Sequence, residues 1–173
     1  MRTPMTRRTA CRTFGAVGLG TLVQALGAAE AADEAPKQAE ATFSGSWTYR
    51  SFLSNPDIKV DFDKLEFARA DLVLEKAPFG VLRGKLVFGD DFLTLKGSLS
   101  YGTPFTARFQ GIGATADTKG WIYDYLGFLV PQWPNGVNQR PAIVGTVIRT
   151  VDHSDGKAKA GVVASFIAVK QDV

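Results

Sequence analysis

The chain has 173 residues, of which 45% are hydrophobic and 21% charged, and its formal net charge is +3. This composition is ordinary for one folded domain and excludes wholesale disorder and a collagen-like chain. The single cysteine excludes a disulfide framework and a cysteine-based zinc site.

Residues 1–31 have the three parts of a secretory signal peptide. Arginines come first, an uncharged run rich in Ala, Gly, Leu and Val covers 13–29, and a small-x-small cleavage site ends at Ala31. The paired Arg7-Arg8 favours the twin-arginine route, with the Sec route as the alternative. The apolar run is shorter than the roughly 20 residues of a membrane span. We therefore expect a periplasmic or secreted protein with no stable membrane anchor after cleavage.

Cleavage after Ala31 would remove the excess of positive charge from the chain. It removes four arginines and Glu30, so that 16 basic and 16 acidic residues remain of the original 20 and 17. The remaining basic residues form no cluster, whereas a protein that neutralises several phosphates needs one. We therefore expect a formally neutral, cysteine-free mature chain that does not bind nucleic acid.

The rest of the chain is predicted to be a flexible leader over 32–42 and a β domain over 43–173. Short alternating runs recur at intervals of about 8–12 residues, which is typical of a sandwich or barrel. The predicted strands are 43–53, 70–76, 80–88, 92–101, 105–113, 120–126, 142–152 and 161–170. Short turns such as Gly89-Asp90-Asp91 require antiparallel hairpins. The predicted fold is all-β, an antiparallel up-and-down meander closing into a roughly eight-stranded barrel.

Two connections are longer than hairpin turns. Residues 55–67 are expected to hold a short helix or strap, and the proline-rich residues 130–141 an ordered loop. The interior of such a barrel is either filled by side chains or holds one small ligand.

The first predicted strand carries Gly-Ser-Trp at 45–47. A G-x-W at the start of an eight-stranded meander resembles the calycin superfamily, which includes the lipocalins and avidins. The resemblance implies that the tryptophan plugs one barrel end beside a basic residue from a late strand, for which Arg149 and Arg140 are the candidates. Avidin-like proteins have an asparagine where Tyr49 stands here, so the biotin-binding pattern is not matched.

The aromatic residues are densest in 120–141. Trp121, Tyr123 and Tyr125 alternate onto one strand face, and Asp124 lies on the other. The segment is either an aromatic pocket mouth with Asp124 and Arg140 as polar groups, or a structural plug. Asp124 is either an acid–base group or the partner of an arginine, which is the commoner way to satisfy a buried carboxylate. The candidate ligand-binding residues are Trp47, Tyr49, Trp121, Tyr123, Asp124, Tyr125, Trp133, Arg140 and Arg149.

The only histidine, His153, is expected on an exposed turn. Asp152, His153 and Ser154 have the side-chain types of a hydrolase triad, but chain neighbours point apart whereas a triad converges in space. No catalytic residue is assigned, and no metal or cofactor is expected.

These observations predict an exported β-barrel that binds a small apolar or aromatic ligand in its lumen. One alternative is a lumenal isomerase or cyclase, as in the small barrels of the allene-oxide-cyclase and dirigent type, with Asp124 and the tyrosines steering a reactive substrate. Another is a structural or accessory interaction domain with a filled interior. Homo-oligomerisation stays open. A lumenal cavity would favour the two ligand-dependent functions.

Overall fold

The computed structural model describes residues 42–78 and 80–171, so the predicted signal peptide and nearly all of the leader lie outside the described residues. A short helix, α1 (Phe62–Leu65), lies between the first two strands. The strands are β1 (Gly45–Leu53), β2 (Glu66–Leu74), β3 (Val81–Phe88), β4 (Asp91–Ser100), β5 (Thr106–Gly113), β6 (Ile122–Leu129), β7 (Ala142–Arg149) and β8 (Val163–Lys170).

Each strand pairs antiparallel with the next, and β8 pairs with β1 to close the barrel. The sequence therefore predicted the fold class correctly: an all-β antiparallel meander of eight strands. Closure leaves no strand edge open to another chain. The helical turn expected within 55–67 is present as α1.

Strand boundaries differ from the prediction by three residues or more at three places, and by one or two residues at several others. β2 begins at Glu66 rather than at residue 70, because its first residues pair with the end of β1 after α1. β6 continues to Leu129, paired with Ile143 of β7. β7 ends at Arg149 rather than at residue 152, and the following chain turns across the end of the barrel.

Several glycines in the strands, Gly97 and Gly145 among them, stand where neighbouring backbones come very close. A Cβ atom on Gly97 would lie 2.0 Å from the carbonyl oxygen of Arg108 across the β4–β5 ladder. A Cβ atom on Gly145 would lie 2.0 Å from the carbonyl oxygen of Leu126 on β6. Such close contact between backbones is one reason for glycine inside a strand, and it accompanies the sharp coiling of a small closed barrel.

One end of the barrel, where β1 begins and β8 ends, is closed by Trp47, and we call it the plugged end. The Trp47 side chain is 0% exposed and donates its indole N–H to the carbonyl oxygen of Phe43 at 3.0 Å. The Nζ of Lys170 lies 5.5 Å from the centroid of the Trp47 ring. A basic residue of the last strand thus covers the tryptophan, as the resemblance implied, but the expectation that it is Arg149 or Arg140 was wrong.

Candidate ligand-binding site

The opposite end of the barrel, where β1 and β7 end and β6 begins, contains a cavity of about 300 Å³, and we call it the cavity end. The volume is at the lower limit of small-molecule pockets. Side chains from six strands and from two loops surround it, and most of them are apolar or aromatic. The lining residues are Tyr49, Phe67, Ala68, Arg69, Leu86, Phe88, Leu93, Trp121, Tyr123, Tyr125, Arg149, His153 and Ser154.

Stacked aromatic rings form the walls of this cavity. The Trp121 ring stacks with His153, at 4.3 Å between ring centroids, and with Phe88, at 6.0 Å. Deeper in the barrel, Tyr125 stacks on Phe109 at 4.6 Å between centroids. Offset and edge-to-face pairs of this kind hold rings in place more firmly than burial alone. The walls are therefore flat aromatic surfaces in fixed positions.

The alternation of β6 accounts for the inward aromatic residues. Tyr123 and Tyr125 are buried, and Trp121, just before the strand, is partly buried on the same face, as predicted. Asp124 points outward, is exposed and accepts a hydrogen bond from Gln110 Nε2 at 2.8 Å. Asp124 therefore takes no part in the cavity. Within the described residues it forms no ion pair either, so the expected pairing with an arginine was wrong.

A polar network at one side of the cavity joins Arg149, Tyr123 and His153. The Arg149 Nε–H donates to the Tyr123 hydroxyl oxygen at 3.3 Å, and that oxygen lies 2.7 Å from His153 Nε2. Arg149 stands directly across from Tyr123 in the β6–β7 register. Because Tyr123 accepts from Arg149, its own proton is available for a neutral His153 Nε2. The other ring nitrogen, Nδ1, lies 2.9 Å from the Ser154 hydroxyl.

His153 itself is not on an exposed turn, contrary to the sequence prediction. Its side chain is 9% exposed and lies against Trp121 and Tyr123. The loop of residues 150–162 brings it there, because His153 and Ala158 exchange backbone hydrogen bonds at 3.0 and 3.2 Å. Burial lowers the pKa of His153 below its ordinary value, and the positive charge of Arg149 lowers it further. The imidazole is therefore held neutral.

Two further tyrosines place hydroxyl groups in the barrel interior. Burial raises the pKa of Tyr49 and of Tyr125 above the ordinary value, so both phenols keep their protons. The Tyr125 side chain is 5% exposed, and its hydroxyl has no hydrogen-bond partner among the described residues. No side-chain polar atom of those residues is both fully enclosed and unpartnered. Since Tyr125 lines the cavity, its hydroxyl opens into that space.

Besides Asp124, three of the predicted site residues are away from the cavity. Trp47 is the plug at the other end. Trp133 is 73% exposed in the proline-rich loop. There its backbone N–H donates to Gln139 Oε1, and its carbonyl oxygen accepts from Gln139 Nε2, both at 2.6 Å. Arg140 donates to the carbonyl oxygens of Lys170 and Gln171 at that same plugged end. The structure thus brings together five of the nine predicted residues: Tyr49, Trp121, Tyr123, Tyr125 and Arg149.

Sequence reasoning missed His153, Phe67 and Phe88. Phe67 and Phe88 lie at the end of β2 and β3 that meets the start of β6, so strand direction alone places them near Trp121. The signal for His153 was the length of the connection over 150–162, which is longer than a hairpin turn. A connection of that length has enough residues to fold over the barrel end. Which side of that loop faces inward is decided by the His153–Ala158 pairing, which no local pattern reveals.

In the part of the chain that the structure describes, no group of three His, Cys, Asp or Glu side chains is placed to hold a metal ion. The same residues contain no helix of the length and hydropathy needed to cross a membrane. Comparisons of the chain with protein-family models, with curated proteins and with solved structures find no match.

Proposed function

We propose that this protein is an exported β-barrel that binds a small, mainly aromatic ligand inside its lumen. The observation that carries the proposal is the cavity of about 300 Å³ at the cavity end, with walls of stacked rings and a few polar groups on one side. A small apolar pocket with a few convergent polar groups is the usual composition of a small-molecule site. An interior filled by side chains would have favoured a structural or accessory role.

The cavity volume sets the size of the ligand. A pocket at the lower limit of the usual range suits a one- or two-ring molecule of roughly 12 non-hydrogen atoms. At about 0.5 kcal/mol per atom such a ligand gains about 6 kcal/mol of binding free energy. The corresponding dissociation constant is in the tens of micromolar.

Export and the calycin-like character belong to the same proposal. The signal pattern of residues 1–31 supports a periplasmic or secreted location. The barrel with Trp47 as a plug, covered by Lys170 of the last strand, supports the resemblance to lipocalin-like binding proteins. Because Trp47 closes one end, a ligand would enter from the opposite end, which is where this cavity lies.

A lumenal isomerase or cyclase is the second candidate, and the contact between Tyr123 and His153 favours it. A neutral imidazole with Nε2 at 2.7 Å from a phenol oxygen can take up a proton from that hydroxyl. The Arg149 guanidinium stabilises negative charge that develops on the same oxygen. The acid–base groups of this alternative are Tyr123 and His153 rather than Asp124, which lies outside the barrel.

Binding of the neutral probe 2-naphthamide, followed by tryptophan fluorescence, tests the ligand-binding proposal. Ala68→Leu adds bulk to a residue that lines the cavity, so we expect it to weaken binding at least tenfold. Ser165→Leu puts the same leucine side chain on the exposed outer face of β8 and serves as the control, with binding unchanged. Equal affinities for the wild type and both variants, at unchanged melting temperature, would contradict binding in the lumen.

A further inference from the structure

We propose that the cavity is built for an aromatic ligand that carries one negative charge, such as a small aromatic carboxylate, with the anionic group held by Arg149. This inference rests on the proposed function and adds the chemical class of the ligand.

The first observation is that Arg149 forms no ion pair among the described residues, although Asp152 is close enough to interact with its charge. Its guanidinium donates to the Tyr123 hydroxyl at 3.3 Å and to the backbone carbonyl of Lys159 at 3.0 Å, and both acceptors are neutral. Among the described residues no carboxylate lies within ion-pair distance of it. The nearby Asp152 is already bound by Lys159 Nζ at 3.0 Å. Arg149 therefore keeps an unpaired positive charge at the cavity wall.

The other arginine at the cavity shows the contrast. Arg69 lines the same cavity, but its guanidinium forms an ion pair with Glu66. Arg149, in addition, is partly buried and lies over aromatic rings, with its guanidinium carbon 5.3 Å from the centroid of Phe67. A partly buried cation is costly unless an anion or strong acceptors compensate it. An anionic ligand would supply the missing partner.

The second observation is the unpartnered hydroxyl of Tyr125. This side chain is 5% exposed, lines the cavity and has no hydrogen-bond partner among the described residues. A protonated phenol donates one hydrogen bond, and an oxygen atom of a ligand is its natural acceptor. Two donors on the cavity wall, Arg149 and Tyr125, are thus available to an oxygen-rich group.

The charges around the cavity also argue against a positively charged ligand. Aromatic walls alone would suit a cation as well, through contact with the ring faces. None of the described lining residues is an aspartate or a glutamate, however, and Arg149 repels a positive ligand. A cationic ligand would therefore meet like charge without any carboxylate to balance it, whereas an anionic ligand meets the complementary charge.

The test compares 2-naphthoate with 2-naphthamide, which have nearly the same shape but differ by one charge. Calorimetric titration at pH 8 keeps the carboxylate ionised and His153 neutral. We expect the wild type to bind 2-naphthoate at least tenfold more tightly than 2-naphthamide, since hydrogen bonds between charged groups are stronger than those to a neutral amide. Arg149→Gln should bring the two affinities within twofold, and Arg149→Lys should keep a preference of at least threefold.

Arg83→Gln is the matched control, because it removes one positive charge from the exposed outer face of β3. It should keep the full preference for 2-naphthoate. Equal binding of both probes by the wild type, or a preference that survives Arg149→Gln, would overturn the inference while leaving lumenal binding intact. Failure of both probes to bind would contradict the proposed function itself, so the two failures are distinguishable.

Discussion

Removal of a single oxygen atom by Tyr123→Phe tests the polar network at the cavity end. The substitution keeps the ring that packs against Phe67 and Trp121, with centroid distances of 6.2 and 6.4 Å. It deletes the hydroxyl that lies 2.7 Å from His153 Nε2 and that accepts from Arg149 Nε. The imidazole nitrogen is then left buried without a partner.

The size of the effect follows from that loss. A buried polar atom without a partner costs about 1–3 kcal/mol of unfolding free energy. In a domain of this size, each kcal/mol shifts the melting temperature by roughly 3–5 °C. We therefore expect Tyr123→Phe to lower the melting temperature by roughly 3–15 °C.

Chemical denaturation at pH 8, followed by tryptophan fluorescence, measures the change in unfolding free energy. Tyr125→Phe is the matched control, because it removes a buried hydroxyl that has no partner among the described residues. Its unfolding free energy should stay within about 0.5 kcal/mol of the wild type, since no hydrogen bond is lost. A loss of less than 0.5 kcal/mol for Tyr123→Phe, or equal losses for both variants, would refute the network as described.

The remaining predictions concern pH and the barrel wall. Because the folded state lowers the pKa of His153, the unfolded chain takes up a proton below about pH 6.5 that the folded chain does not. The unfolding free energy should therefore fall between pH 7.5 and pH 5.5, measured by denaturation, and His153→Phe should remove that slope; a flat wild-type profile would contradict it. Gly145→Ala places a Cβ atom 2.0 Å from the Leu126 carbonyl oxygen and should destabilise the barrel by more than about 2 kcal/mol in thermal melts. Gly102→Ala, whose Cβ would meet its nearest atom at 3.6 Å, should melt like the wild type, and equal melting of both variants would show that the close contact is unimportant.

The parts of the site that alternation controls were predictable from the sequence. Side chains along a strand point to opposite faces with a period of two, so Tyr123 and Tyr125 could be assigned to the same face from their spacing alone. The same rule placed Asp124 on the opposite face, and the exposed side chain confirms that placement. The eight alternating runs, joined by short turns, likewise led to the closed meander.

The parts that depend on long-range pairing were not predictable. Which basic residue meets Trp47 is decided by the register of β8 against β1, which places Lys170 directly across from that tryptophan. Arg149 lies at the other end because β7 runs towards the cavity. His153 reaches the cavity only because its loop folds back on itself through Ala158. A single sequence contains no local signal for either pairing.

The unpaired charge of Arg149 could be found only in the structure. The sequence places aspartates close to it in the chain, and Asp152 is the nearest of them. Lys159 and the backbone N–H of Ala160 bind that carboxylate instead, at 3.0 and 2.7 Å. The competition between Lys159 and Arg149 for one carboxylate is therefore decided by the shape of the loop.

Native mass spectrometry of the exported protein tests the central claim, a ligand in the lumen, most directly. With excess 2-naphthoate added, the wild type should carry a small molecule that is released on collisional activation, and Ala68→Leu, treated in the same way, should not. Ser165→Leu should carry the same added mass as the wild type. Identical masses for the wild type and Ala68→Leu, each equal to the polypeptide alone, would contradict the account.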